Sequence, residues 1–159
     1  MANQIILNKI PADARIVTIQ APANTTNGSI VTVGSFDTDA ADYGTYAAAA
    51  PSAVTDLGMA MVLTPTLSYE AQYDENDFEI STGDKVRAYF PVVGMKVTIP
   101  VANITATATV EADNYVVPTT TVKPECKTAM GGTEAVAFLI DQVVTINGVS
   151  MAELRCIKA

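Results

Sequence analysis

Apolar residues in this chain come in short runs rich in Val, Ile and Thr, and nearly every run ends at Gly, Pro, Asn or Asp. Runs this short leave little room for helical periodicity. They suit strands, because β-branched side chains fit a pleated surface and the punctuating residues make turns. Predicted strands are Ile5–Leu7, Arg15–Gln20, Ile30–Gly34, Lys85–Phe90, Met95–Val101, Ala106–Glu111, Tyr115–Val117, Ala135–Ile146 and a last one around Glu153–Ile157. Met59–Tyr69 reads as a strand bent or interrupted at Pro65. In Met95–Val101 the alternation puts Met95, Val97 and Ile99 on one face. Tight turns are expected at Asn27-Gly28, at Thr82-Gly83-Asp84 and at Asn147-Gly148. Ser35–Gly58, small and acidic, reads as a long loop with one short helical turn at Ala47–Ala50, stopped by Pro51. Pro118–Gly132 reads as loop. The expected fold is all-β, a small β-barrel or β-sandwich with long loops and at most one or two short helices. No internal repeat is present.

A chain of 159 residues has the length of one domain with a real core. We expect an N-terminal arm over residues 1–11 and a single β-rich domain over 12–159. In the arm, Ile5, Ile6 and Leu7 are consecutive apolar residues flanked by Asn3, Gln4, Asn8 and Lys9, with Pro11 close behind. Consecutive apolar residues suit a strand covered on both faces. The cover comes either from the chain's own domain or from a neighbour, and the sequence leaves both open.

Several functional classes are disfavoured. Lys and Arg total 9 against 17 Asp and Glu, a net charge of −8, which argues against tracking nucleic-acid phosphates. No apolar run reaches the roughly 18 to 20 residues of a membrane span, so no membrane partner is expected. The N-terminus lacks a basic stretch followed by a long apolar run, so no signal peptide is expected. The chain has no His, which removes a Ser-His-Asp triad and His-ligated metals. Cys126 and Cys156 form no CxxC pair and are expected to be free thiols. The acidic run Asp74, Glu75, Asp77 and Glu79 lacks the spacing of a calcium loop and reads as a solvated connection. Gly83-Asp84-Lys85 and Met130-Gly131-Gly132-Thr133 do not make a phosphate loop. Asn24, Asn27 and Asn103 match the glycosylation sequon, which a Thr-rich chain produces by accident. No catalytic residue, metal, cofactor or small-molecule substrate is expected.

One stretch resembles a known family. Phe78-Glu79-Ile80-Ser81-Thr82-Gly83-Asp84-Lys85-Val86-Arg87-Ala88-Tyr89, followed by Gly94 and the alternating Val97-Thr98-Ile99, resembles the F-x-I-x-x-G-x-x-x-R-A-Y phrase of tailed-bacteriophage head decoration proteins. Gly28–Gly34 is similar to their earlier strand, and the polar-apolar arm fits a capsid-surface protein. The resemblance covers about the central third of the chain. It implies a structural cement protein on the outer capsid surface of the virion, made in the host cytoplasm. Such a protein binds across major capsid protein subunits of the expanded head, usually as a homotrimer, and catalyses nothing. A β-tulip-like barrel is among the forms it implies. Asn3, Gln4, Ile5, Ile6 and Leu7 are the candidate capsid-binding residues. The rivals are another β-rich virion part, such as a head-fibre or tail-tube module, and a carbohydrate-binding or adhesin domain. The latter is disfavoured by 6% aromatic residues and no Trp. An enzyme working through carboxylates is a third alternative.

Overall fold

Side-chain alternation along the strands sorts the apolar residues into two cores. The computed structural model describes residues 4–38, 44–65 and 78–159. Its strands are β1 (Ile6–Lys9), β2 (Ile16–Gln20), β3 (Ile30–Phe36), β4 (Thr45–Ala49), β5 (Met59–Val62), β6 (Lys85–Tyr89), β7 (Lys96–Pro100), β8 (Tyr115–Val117), β9 (Glu125–Lys127), β10 (Ala137–Ile146) and β11 (Val149–Lys158). A single 3-10 turn, Val101–Asn103, is the only helical element among the described residues. The fold is all-β. A closed barrel runs β2-β4-β3-β5-β6, and a six-stranded sheet runs β1-β7-β11-β10-β8-β9. The barrel closes through antiparallel β2 and β6, with Ile16 opposite Tyr89 and Gln20 opposite Lys85. Its one parallel pair is β2 with β4.

All four residues of β5 are buried, because this strand is covered on both faces. Ala60 and Val62 point into the barrel lumen with Ile19, Val31, Val86 and Ala88. Met59 and Met61 point the other way, into a larger core shared with the sheet. There they meet Val97 and Ile99 of β7, Phe138 and Ile140 of β10, and Leu154 and Cys156 of β11. The sheet thus packs across one side of the barrel, and β5 is the wall between the two cores.

Two Asn-Gly turns shape the chain differently. Asn147-Gly148 joins β10 to β11 with both residues at positive φ, 50° and 79°, as a type I′ hairpin requires. At Asn27-Gly28 only Gly28 has positive φ, 93°, and the turn is buried. A Cβ at Gly28 would lie 2.5 Å from Ile99 Cδ1, so glycine is needed there for space as well as for φ. Asn27 is 0% exposed, and its side chain bonds both the N–H and the C=O of Thr64 (2.8 and 3.0 Å). Asn103 donates to the Asn27 carbonyl at 2.9 Å, tying the end of β7 to the barrel.

Three sequence expectations need correction. Ala47–Ala50 makes no helical turn, since Thr45–Ala49 is barrel strand β4. Ladder pairing with β2 and β3 overrides alanine's local preference, and Tyr46 and Ala48 turn toward the lumen. Pro118–Gly132 is not all loop, because Glu125–Lys127 pairs with β8. Ala106–Glu111 is not a ladder strand. Of the predicted Met59–Tyr69 strand, Met59–Val62 forms, and residues 66–69 lie outside the described residues.

Candidate interaction surface

The six-stranded sheet has two outer edges, and the fold treats them differently. The β9 edge is covered. Thr105 N–H donates to Pro124 O at 2.8 Å, Cys126 N–H to Thr105 O at 2.8 Å, and Ala108 N–H to Cys126 O at 3.0 Å. The segment read from sequence as a strand at Ala106–Glu111 thus begins as an edge cover. The opposite edge belongs to β1, which among the described residues pairs with β7 alone. Exposed ladder edges are templates for strand addition by another chain.

The predicted arm residues fall on this edge strand or beside it. Ile6 stands opposite Thr98 and Lys9 opposite Lys96, with a register irregularity between them. Thr98 Oγ1 donates to Asn8 Oδ1 at 2.7 Å, fastening the strand by one side-chain bond. Gln4 is buried, and Ile5 packs against the shared core. Ile6 and Leu7 are each 40% exposed. Asn3 lies outside the described residues. Of the two readings of the arm, the structure shows docking on the chain's own sheet, with Ile6 and Leu7 left partly exposed. The sequence pattern did not reveal Asn8 as the fastening residue, because its partner is 90 positions away.

Beside β1, the sheet's outer face carries a charge cluster. Asp141 occupies an irregularity in the β10–β11 ladder. There its carboxylate meets Lys96 Nζ at 2.9 Å and Arg155 through Nε and Nη2 at 3.0 to 3.2 Å. Glu153 lies 3.5 Å from Lys96 and accepts from Gln142 at 2.8 Å. Burial pushes the Asp141 carboxyl up, but the bonds from Lys96 and Arg155 outweigh it and hold it below the ordinary range. The bond to Asp141 raises Lys96 in turn. Every member of this cluster is paired within the chain.

Other candidates resolve as structural. Cys126 and Cys156 are free and buried in the shared core. Burial raises both thiols, Cys156 to about 11, so neither is a reactive thiolate at neutral pH. Asn27 and Asn103 are buried and hydrogen-bonded, which leaves Asn24 as the exposed sequon residue among these three. Asp74, Glu75 and Asp77 lie outside the described residues, and Glu79 is exposed. Gly83 sits in an exposed turn where Ser81 N–H donates to Asp84 Oδ2 at 2.8 Å. Met130–Thr133 instead serves Glu134, which is 3% exposed and accepts from Gly131 N–H at 2.6 Å. Burial raises its carboxyl, but the backbone N–H groups of residues 134, 131 and 132 and the Lys127 cation bring it below the ordinary value.

A second apolar feature lies where barrel meets sheet. Leu57, 86% exposed, stands at a crevice of about 190 Å³ floored by Met59, Phe90, Pro91 and Val136. Among the described residues no group of three or more Cys, Asp or Glu is placed to hold a metal ion, and no helix is long and apolar enough to cross a membrane. Comparison of the chain with protein-family models, with curated proteins and with solved structures gave no match.

Proposed function

We propose that this chain is a structural virion protein that decorates the expanded head of a tailed phage and stabilises it by binding across major capsid protein subunits. The observation that carries the reading is the β1 edge, which among the described residues is unpaired beyond β7 and presents Ile6 and Leu7 beside a sheet whose other edge is covered. The resemblance over Phe78–Tyr89 supports it. In the fold those residues lead through the Gly83 turn into β6, the strand that closes the barrel. A partner strand added to β1 gains main-chain hydrogen bonds, and the exposed Ile6 and Leu7 add apolar contact. The short strand, its irregular register and Lys9 blunt indiscriminate pairing, so a partner must match this edge. Assembly as a homotrimer multiplies such contacts. Each later contact on the same head is then effectively intramolecular, and modest single affinities suffice.

The test is to add purified protein to expanded, undecorated heads of the phage that encodes it and to image them by negative stain. Regular added density on the capsid lattice is expected, and bare heads at saturating protein would overturn the proposal. The double change Ile6→Asp and Leu7→Asp should abolish the added density. Each side chain is 40% exposed and otherwise buried on the chain's own sheet, so the double change should cost about 1 to 2 kcal/mol per site, and a thermal melt showing a folded variant precedes the binding measurement. Light scattering of the free protein reads the oligomer.

A further inference from the structure

The chain holds two Asn-Gly pairs, and the structure puts them in opposite chemical situations. Deamidation begins when the backbone nitrogen after an asparagine attacks that residue's Cγ. It needs a free N–H, a side chain able to swing onto it, and no Cβ on the following residue to crowd the approach.

At Asn27-Gly28 every requirement but the last fails. The Asn27 side chain is held at both ends by Thr64, at 2.8 and 3.0 Å. The Gly28 N–H donates to Val62 O at 2.8 Å. The space beside Gly28 is occupied by Ile99, whose Cδ1 would be 2.5 Å from a Cβ there. At Asn147-Gly148 the requirements are met. Both residues are exposed at the tip of the β10–β11 hairpin. A Cβ built on Gly148 meets nothing within 4 Å. In a type I′ turn the ladder bonds are made by the flanking residues, here Ile146 and Val149, which leaves the Gly148 N–H outside the ladder. Asn8, Asn24, Asn103 and Asn114 are followed by Lys9, Thr25, Ile104 and Tyr115, whose side chains crowd the attack.

We infer that Asn147 is a site of spontaneous deamidation and that Asn27 is protected by the fold. The Gly148 nitrogen forms a bond to Asn147 Cγ, and the Cγ–Nδ2 bond breaks. Ammonia leaves, carrying the proton that the backbone nitrogen gives up. Water then opens the five-membered imide at either carbonyl, yielding aspartate or isoaspartate. Each product adds one negative charge to the hairpin tip. Isoaspartate also inserts the Cβ methylene into the backbone, which the two-residue turn between Ile146 and Val149 does not accommodate. The hairpin tip therefore ages, gaining charge and losing register, while the buried turn does not.

Ageing the native full-length protein in mildly alkaline buffer, followed by peptide mapping with mass spectrometry and enzymatic isoaspartate methylation, tests this. The peptide containing Asn147 should give two products of equal mass, each heavier by the difference between OH and NH2. The Asn27 peptide should stay unchanged in the folded protein and convert only when the chain is unfolded in denaturant. An unmodified Asn147 under folded conditions, or equal conversion of both sites before unfolding, would overturn the inference.

Discussion

The barrel lumen and the barrel–sheet core are walled by the same strand, yet they hold different residues. The lumen takes Ala21, Ala60, Ala88 and valines, with Ile19 as its largest fully buried member. The shared core takes Phe138, Met59, Met61, Met95, Leu63, Leu154, Ile99 and Ile140. A barrel of few strands leaves an interior just wide enough for side chains, so small residues fill it. A sheet lying across the outside of a barrel leaves a deeper layer that long side chains must occupy. Along Met59-Ala60-Met61-Val62 the alternation is therefore one of size rather than of polarity. Stability should then respond to lost volume on one side of β5 and to added volume on the other.

The largest effect is expected from Phe138→Ala. Phe138 is fully buried in the shared core, with Val116 and Cys156 as its cross-strand neighbours. Truncating a buried Phe costs about 3 to 5 kcal/mol, so the melting temperature should fall on the order of 10 °C. A loss under about 1 kcal/mol in denaturant titration would mean that the sheet does not pack on the barrel as described.

The lumen should fail in the other direction. Ala88→Leu adds volume where the barrel has none to spare, and overpacking of this kind costs about 1 to 3 kcal/mol. Met61→Leu, one pairing step away on β5 but facing the shared core, conserves volume and should cost less than about 1.5 kcal/mol. Thermal melts of the two variants side by side sharpen the comparison. If Ala88→Leu is neutral, the lumen has unfilled space and the size argument is wrong.

What the sequence made legible follows the same division. Strands with polar-apolar alternation, such as Ile16–Gln20 and Lys96–Pro100, could be read within a residue or two, as could the Asn147-Gly148 hairpin. Strand β4 could not, because after Thr45 and Tyr46 it runs Ala47-Ala48-Ala49, which carries no strand preference and owes its conformation to partners on β2 and β3. Strand β9 is three residues long between Pro124 and a loop, too short for a periodic signal. Ala106–Glu111 looks like a strand because Ala-Thr-Ala-Thr-Val alternates, yet the bridge to β9 is made by Thr105 just before it, and the Ala108 N–H bond to Cys126 O does not extend that bridge into a ladder. The arm announced itself as apolar, but its exposure depends on which strand it meets. That partner, β7, lies some 90 residues downstream and is beyond local pattern.

The smallest expected effect tests the rim of the shared core by charge. Both core clusters are apolar, but Glu134 sits buried at the edge of the shared one, just before Ala135, whose N–H donates to Val54 O at 2.8 Å and ties the loop to the barrel. Its carboxyl is below the ordinary value of 4.5 in the folded protein, because backbone N–H groups and Lys127 outweigh burial. A carboxyl depressed on folding contributes stability that is fully present above its unfolded pKa. That contribution is lost as pH falls through the lower, folded value. Wild-type stability should therefore decline as pH drops below about 4.5, with Asp141 contributing a decline of the same sign. Glu134→Gln keeps an acceptor for the Gly131 N–H but cannot ionise. The variant should be less stable than wild type at neutral pH, and the gap should close as the solution is acidified. Asp141→Asn should show the same closing gap, but from the outer face of the sheet rather than from the core rim. Denaturant midpoints measured across the acid range for the three proteins separate these contributions. A Glu134→Gln gap that stays constant with pH would show that the loop is held by packing alone and that its carboxylate charge plays no part in joining sheet to barrel.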